Sequence, residues 1–181
     1  DEENFTINKG NITVNLYLNT NLNTDVPLTY PTQSNATGTS SAGTVNLFRN
    51  GIAVSNPEIT TFGAGIYTYK VNATGNANYT DNDTGRSYNL TIFNNTGSCD
   101  VLFNTTSPKD YPYVFRVYTN CNSNFTLYRN GTLISNNSVQ TLGAETYNFS
   151  VFRNDTVNYT NFYDEENFTI NKGNITVNLY L

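Results

Sequence analysis

Histidine, methionine and tryptophan are absent from this sequence, and charged residues make up only 13% of its 181 positions. Histidine is the commonest general base and metal ligand, so its absence excludes Ser-His-Asp triads and most zinc sites. The net charge of −5 leaves no basic face for phosphates, and we expect no nucleic-acid partner. No apolar run approaches the roughly 18 residues that a membrane span requires. Without a methionine, the sequence is expected to be an excerpt or a processed piece.

Small polar residues replace the missing charges. The chain holds 33 Asn, 28 Thr and 11 Ser, together about 40% of all residues. Leu, Ile, Val and Phe number 44, which is above the level of roughly 20% below which chains tend to stay disordered. The composition therefore predicts a folded chain whose surface is polar without being charged.

Two internal repeats organise the chain. Residues 1–18, DEENFTINKGNITVNLYL, recur without a change as residues 164–181, which gives a period of 163 residues (164 − 1). Ordinary divergence would not leave all 18 residues identical, so we infer that the parent polypeptide is a tandem array of nearly perfect copies. Inside the period, residues 45–80 align with 125–160 at an offset of 80, and 14 of the 36 pairs are identical. Two homologous modules of about 80 residues, a size typical of small β-sandwiches, are therefore predicted.

Apolar and polar residues alternate almost throughout, which is typical of half-buried strands and not of helices. Asn50-Gly51 and Asn130-Gly131 lie between alternating runs and predict type I′ hairpin turns, because both turn residues need a positive φ angle. The sequence therefore predicts an all-β fold. The predicted strands are 11–19, 27–34, 43–49, 52–56, 66–73 and 86–93 in the first module, and 99–105, 112–120, 124–129, 132–136, 146–153 and 166–171 in the second.

The duplicated segment sets the predicted domain limits. Module 1 spans residues 10–95 and module 2 spans residues 96–172. Residues 1–9 are assigned to the last strand of the preceding repeat and residues 173–181 to the first strand of the next. Such flanking strands, predicted at 4–8 and 174–181, need a partner from a neighbouring copy, because an unpaired strand exposes its backbone groups. That copy could belong to the same polypeptide or, through strand donation, to another subunit.

The segments 62–67 and 142–147 are typical of the corner before the sixth strand of an immunoglobulin-like sandwich, where a tyrosine hydroxyl bonds back to the chain. A core tyrosine after an ordinary turn is the alternative. Four segments carry a resemblance: LFRNGIAVSN and FGAGIYTYKVNATGNANYT in module 1, and LYRNGTLISN and LGAETYNFSVFRNDTVNYT in module 2. Their sequence resembles the tandem immunoglobulin-like repeats of archaeal surface proteins. Those repeats are close to the bacterial immunoglobulin-like domains of adhesins.

This resemblance covers both modules. It implies two tandem immunoglobulin-like β-sandwiches, an extracellular or cell-surface location, and a scaffold or adhesion role without catalytic residues. Glu145 stands where the repeat usually has glycine, and only module 2 carries cysteines. The hallmark Cys and Trp of antibody domains are absent, so that branch of the fold is not indicated.

Sequons of the form Asn-x-Ser/Thr occur 17 times, against about 7 expected by chance for this composition. Glycans need solvent-facing acceptors, and many of these asparagines fall in turns or on the polar half of the alternation. We therefore predict that several carry N-glycans; the alternative is that Asn and Thr are simply polar strand residues. The sequon asparagines are Asn4, Asn11, Asn35, Asn72, Asn78, Asn82, Asn89, Asn94, Asn104, Asn124, Asn130, Asn136, Asn148, Asn154, Asn158, Asn167 and Asn174.

Cys99 and Cys121 flank a predicted hairpin whose turn, residues 107–110, is centred near residue 109. Symmetric pairing about that turn brings the two cysteines roughly opposite each other. We predict a disulfide, which would contribute roughly 3 kcal/mol by closing a loop of about 22 residues. Free buried thiols are the alternative, and a catalytic thiol is not expected without histidine.

Acidic residues cluster in two predicted loops, one before the last strand of each module. Carboxylates this close can hold Ca²⁺, and calcium between modules would stiffen an array. The spacing matches no EF-hand loop, so solvated acidic turns are the preferred interpretation, calcium is a minor alternative, and no other cofactor is expected. The residues concerned are Asp81, Asp83, Asp164, Glu165 and Glu166.

These features predict a structural role. The chain is interpreted as a subunit or tandem repeat of an extracellular, heavily N-glycosylated filament or stalk, with neighbouring copies of itself as partners. The alternative is an adhesin in which the array is a spacer or binds a glycan or another partner. An enzyme is not expected, because the acids lie in predicted turns instead of facing one another across a cleft.

Overall fold

Strands and loops make up the described part of this computed structural model, which covers residues 2–122, 124–154 and 156–179 and contains no helix within those ranges. The chain divides into two compact units, Asp1–Asn95 and Thr96–Leu181. Each unit packs two β-sheets around its own apolar core. The prediction of an all-β chain with two tandem immunoglobulin-like sandwiches is confirmed.

The strands of module 1 are β1 (Val14–Leu18), β2 (Asn21–Leu22), β3 (Val26–Thr29), β4 (Ser34–Ser40), β5 (Thr44–Arg49), β6 (Ile52–Val54), β7 (Glu58–Thr60), β8 (Gly65–Thr74) and β9 (Asn82–Phe93). One sheet has the order β2-β1-β4-β7 and the other the order β3-β9-β8-β5-β6. Strand β3 pairs with β9 in parallel, and the other pairs are antiparallel. This division of strands between two sheets is the immunoglobulin-like arrangement.

Module 2 repeats this topology. Its sheets have the orders β10-β12-β15 and β11-β17-β16-β13-β14, and β11 pairs with β17 in parallel, as β3 does with β9. The strands are β10 (Val101–Phe103), β11 (Lys109–Asp110), β12 (Val114–Thr119), β13 (Phe125–Arg129), β14 (Thr132–Ile134), β15 (Ser138–Thr141), β16 (Thr146–Arg153) and β17 (Phe162–Asn171). The two modules are therefore related in topology as well as in sequence.

The single strand predicted at 27–34 is wrong, because the chain changes sheets within it. Strand β3 pairs with β9, and after Tyr30-Pro31 the chain enters β4 in the opposite sheet. Strand β4 escaped prediction because its buried positions hold Ser34, Ala36 and Gly38 in place of large apolar side chains. A Cβ at Gly38 would lie 2.7 Å from Val71 Cγ2, so only a residue without a side chain fits there.

The predicted turn at 107–110 is also wrong. Lys109 and Asp110 form β11, which crosses to the other sheet and pairs with Ile170 and Asn171 of β17. The short strands β7 and β15 were missed as well, since three or four residues with few apolar side chains give little periodic signal.

The flanking strands predicted at 4–8 and 174–181 do not form in this chain. Residues 2–9 and 172–179 contain no strand, and residues 180 and 181 lie outside the described part. The same sequences form regular strands as β17 and β1, where each has a neighbour to pair with. Pairing, and not local sequence, therefore decides whether these residues are strands.

Both Asn-Gly turns and both tyrosine corners are confirmed. The φ angles are 49° at Asn50 and 81° at Gly51, as a type I′ turn requires. In module 2 the corresponding φ angles are 45° and 76°. The hydroxyl of Tyr67 donates to the carbonyl oxygen of Gly63 at 3.0 Å, and that of Tyr147 donates to Gly143 at 3.3 Å.

The disulfide between Cys99 and Cys121 is present. Val101 pairs with Thr119 across β10 and β12, so continuation of that register by two residues brings the cysteines opposite each other. The bond therefore fastens the start of the short strand β10 to the end of β12. The register prediction holds although the connection between these strands is a crossover.

Replacing both cysteines by serine should lower the free energy of unfolding of module 2 by about 3 kcal/mol, because the closed loop of 22 residues becomes open in the unfolded chain. Denaturant unfolding of the oxidised, reduced and Cys99→Ser/Cys121→Ser proteins would measure the loss. Module 1 holds no cysteine and is the internal control. A transition of module 2 that is the same in all three proteins would contradict this expectation.

A partly buried polar network links the two sheets of module 1. The Arg49 Nη1 group donates to Glu58 Oε1 at 2.6 Å, and the hydroxyl of the fully buried Tyr69 donates to Glu58 Oε2 at 2.6 Å. Burial, reinforced by the hydrogen bond to the Glu58 carboxylate, raises the pKa of Tyr69 well above its ordinary value near 10. In module 2, Phe149 takes the position of Tyr69. The Tyr69 phenol is therefore a feature of module 1 alone.

Module 1 should lose stability above pH 10. In the unfolded chain Tyr69 ionises near pH 10, whereas in the folded module it keeps its proton. Its contribution is therefore complete below pH 10 and is lost as the pH rises toward the raised pKa, by at most about 1.4 kcal/mol per pH unit. Unfolding of the native protein and of Tyr69→Phe, measured between pH 8 and about 11.5, would check this; equal slopes in the two proteins would refute it.

Candidate functional surfaces

Four of the five acidic residues proposed as calcium ligands lie in strands, and only Asp81 lies in a loop as the sequence predicted. Asp83 belongs to β9, and Asp164, Glu165 and Glu166 belong to β17, because both strands begin four residues earlier than expected. On β17 the direction of side chains alternates, so Glu165 points to the opposite face from Asp164 and Glu166. Within residues 2–122, 124–154 and 156–179, no group of three His, Cys, Asp or Glu side chains could hold a metal.

Two of these acids accept hydrogen bonds from backbone N–H groups. Asp164 Oδ2 accepts a hydrogen bond of 2.8 Å from the backbone N–H of Val101, which ties the first strand of module 2 to the last. Asp81 Oδ1 accepts from the N–H of Gly75 at 2.7 Å. Beside Asp81, an open groove of about 380 Å³ is lined by Asn11, Ile12, Thr80, Asn82, Asp83 and Thr84. These contacts make Asp81 and Asp164 parts of the fold.

Amide and hydroxyl side chains link neighbouring strands on the outer face of each five-stranded sheet. In module 1, Asn46 Nδ2 donates to Asn72 Oδ1 at 3.1 Å, and the Thr68 hydroxyl donates to Asn89 Oδ1 at 2.9 Å. In module 2, Asn148 Nδ2 donates to Asn167 Oδ1 at 3.4 Å, and the hydroxyls of Thr146 and Thr169 lie 2.9 Å apart. Each pair is directly opposite in register, so the face is held by neutral cross-strand bonds where other proteins use ion pairs.

None of the 17 sequon asparagines is buried. Six are half-buried and the others are exposed. Asn72, Asn89 and Asn167 accept their cross-strand bonds through Oδ1, an atom that glycosylation of Nδ2 leaves in place. Sugar attachment at these three positions is therefore compatible with the sheet, and occupancy itself stays a prediction.

Several sequon asparagines have a structural role that the sequence did not reveal, among them Asn130 and Asn82. Asn130 Oδ1 accepts from the N–H of Asn148 at 2.8 Å, and Asn50, which is not in a sequon, makes the same bond to Thr68. Asn82 Nδ2 donates to the carbonyl oxygen of Ile12 at 2.8 Å. In Asn82 the nitrogen that would carry the sugar already holds the first strand of its module.

An aromatic shelf, defined as Tyr128, Phe152 and Tyr163, lies on the outer face of module 2. The ring centroids of Tyr128 and Phe152 are 5.9 Å apart, and those of Phe152 and Tyr163 are 4.6 Å apart. The shelf borders an open groove of about 550 Å³ that Asn148, Ser150 and Asn154 also line. Sequence reasoning missed the shelf because it began the last strand at residue 166, after Tyr163. The offset of 80 that relates the modules does not reveal it either, since Asn72 stands at the position of Phe152.

Tyr163 also has a polar contact. Its hydroxyl donates to the Glu165 carboxylate, and this hydrogen bond raises the pKa of the phenol. Both side chains are exposed on the same face of β17.

No helix in residues 2–122, 124–154 and 156–179 is long and apolar enough to cross a membrane. No protein-family model matches the chain, and no curated protein does.

Several solved structures match this chain at low sequence identity. The fibronectin(III)-like modules of Clostridium thermocellum CbhA show 9% identity, cover 92% of this chain and 99% of their own, and give a TM-score of 0.32. The structure of Rst D1-D2 shows 8% identity over 87% of this chain and 99% of its own, with a TM-score of 0.37. The four N-terminal Ig domains of Dscam1 show 14% identity over 93% of this chain and 48% of theirs, with a TM-score of 0.32. These likenesses carry no functional inference.

Asn82 should stay mostly unmodified in the native protein, whereas Asn35 should carry a glycan. Asn82 is half-buried and its Nδ2 holds Ile12, while Asn35 is exposed and uses only Oδ1, which accepts from the Thr37 hydroxyl at 3.0 Å. Glycopeptide mass spectrometry of both sites in one sample would measure the two occupancies. Equal occupancy would show that the hydrogen bond of Asn82 does not protect it.

Proposed function

We propose that this chain is a structural repeat of an extracellular, N-glycosylated filament or cell-surface stalk, assembled from immunoglobulin-like modules placed end to end. The recurrence of residues 1–18 as residues 164–181 carries the proposal. The segment that closes module 2 is followed by the segment that opens module 1, so every copy would present the same joint. A repeated joint is what a regular filament requires.

Three properties of the modules support an extracellular setting. The Cys99–Cys121 disulfide is typical of oxidising compartments. All sequon asparagines are at least partly exposed. The outer sheet faces are held by neutral amide and hydroxyl pairs, so attached sugars would supply the solubility that charge supplies elsewhere.

Native material should form filaments with an axial repeat of two modules, the length that 163 residues occupy. Electron microscopy of the native assembly would measure that repeat, and intact-mass analysis with peptide mapping would count copies and glycans. The control is recombinant protein made without glycans, which separates assembly from glycosylation. Isolated monomers without an axial repeat in the native material would refute the filament.

An adhesin is the second candidate, and the aromatic shelf of module 2 favours it. Aromatic rings beside amide groups are suited to sugars, since a ring face packs on a pyranose while amides bind its hydroxyls. In this alternative the array presents Tyr128, Phe152 and Tyr163 to a glycan of a neighbouring cell or molecule. Loops that vary from copy to copy would favour the adhesin, and uniform loops would favour the filament.

A further inference from the structure

One sequence occurs in two environments in this chain. In β17, Phe168 is 0% exposed and Ile170 is 2% exposed, whereas their repeats in the first segment, Phe5 and Ile7, are 89% and 83% exposed. The exposed segment therefore has the side chains of a core strand without a core to enter.

A strand in the place of β17 must pair with two neighbours and fill the core of module 2. It pairs with β16 over eight residues, from Thr146↔Thr169 to Arg153↔Phe162, and with β11 on its other side. The Phe168 ring stacks on Phe115 with centroids 3.9 Å apart, and it meets Phe103 edge to face at 5.0 Å. Residues 2–8 repeat residues 165–171 and so carry the same alternation, including both large apolar side chains.

We propose that residues 2–8 serve as the last strand of module 2 in a second copy of this chain, so that residues 2–18 are shared between two copies. The proposal deepens the filament proposal by naming its partner and joint, and it rests on that proposal only for its biological setting. The donated strand would bury Phe5 and Ile7 where Phe168 and Ile170 lie here. This is strand exchange between identical elements, a low-cost route to association.

The exchange keeps the contacts of residues 165–171, because residues 2–8 repeat them, whereas the pairs that residues 162–164 form with β16 lie outside the donated segment. The resident β17 has the advantage of being tethered, at an effective concentration on the order of millimolar. Dilute copies therefore keep their own strand, and the exchanged state becomes more populated where copies are concentrated end to end. A test at equilibrium must therefore remove the resident strand from the competition, whereas cross-linking can trap the minor exchanged state.

The joint that results has little freedom. At the end of module 2, the carbonyl oxygen of Asn171 accepts from the N–H of Tyr111 at 3.0 Å. At the start of module 1, the N–H of Gly10 donates to the carbonyl oxygen of Asn78 at 2.9 Å. Asn8 is the repeat of Asn171, so a donated strand leaves only Lys9 between two held residues.

Glycine at this joint suits both modules. A Cβ at Gly10 would lie 3.1 Å from the Tyr79 ring, and a Cβ at its repeat Gly173 would lie 2.1 Å from the carbonyl oxygen of Tyr111. Because glycine has no Cβ, one residue can meet the end of module 2 and the start of module 1 at once. The Lys9 Nζ group also donates a hydrogen bond of 2.9 Å to the carbonyl oxygen of Asn76.

The decisive experiment mixes two full-length chains made without glycans. The acceptor carries Phe5→Asp, Ile7→Asp, Phe168→Asp and Ile170→Asp, so it has neither a resident strand that can be buried nor a strand to donate. Refolded together with the unmodified chain, it should form a 1:1 complex of twice the monomer mass by light scattering. The matched control chain, Phe5→Asp/Ile7→Asp, keeps its own β17 and should form no complex with the acceptor.

Cross-linking tests the register without relying on recovery of the acceptor. Asn4 is the repeat of Asn167, which lies opposite Asn148, and Thr6 is the repeat of Thr169, which lies opposite Thr146. In chains with an intact β17, Asn4→Cys should form an oxidised dimer with Asn148→Cys and at least several-fold less with Thr146→Cys. Thr6→Cys should show the reverse preference.

A complex with the Phe5→Asp/Ile7→Asp chain would overturn the proposal, and so would the absence of both the 1:1 complex and the register preference. Filaments seen in native material together with such a result would leave the filament standing, with its copies joined only by covalent continuity. A 1:1 complex with the expected register preference, but without filaments in native material, would support strand exchange and refute the filament.

Discussion

A β-strand is stable only where a second strand satisfies its backbone, and the architecture of this chain depends on that requirement. The sequence DEENFTIN is a fully paired strand as residues 164–171 and has no strand structure over residues 2–8. Propensity and hydrophobic pattern are identical in the two places, so only the presence of β16 and β11 differs. Each module is therefore complete only when its last strand is paired with its neighbours.

The same constraint links strand order to the joint between copies. In both modules a side chain of the last strand bonds to the backbone of the first across the sheets: Arg86 Nε donates to the Val14 carbonyl oxygen at 3.0 Å, and Asp164 Oδ2 accepts from the Val101 N–H at 2.8 Å. First and last strands are thus stabilised together. A segment that supplies a last strand and then a first strand is consequently the natural unit of continuity in an array.

Sequence alone predicted what depends on local pattern. The Asn-Gly turns, the tyrosine corners and the cysteine register follow from residue types at fixed spacing, and they are present. Strand β4 was not predictable in this way, because close packing against Val71 fills it with small residues and removes the apolar signal. The early start of β17, which brings Tyr163 beside Phe152, depends on pairing with the far end of β16 and so on tertiary structure. Asn82 looked like any other sequon until the fold placed Ile12 next to it.

The two modules stabilise their first strands by different means. Strand β1 has five residues, and the chain before it is docked on the loop around Asn78 and Thr80 through Gly10. Strand β10 has only three residues and begins two residues after Cys99, which the disulfide fixes to Cys121. A short strand forms few ladder bonds, so a covalent link at its start offsets what pairing does not provide. The chain before the first strand is therefore held by backbone hydrogen bonds to Asn78 and Thr80 in module 1 and by the disulfide in module 2.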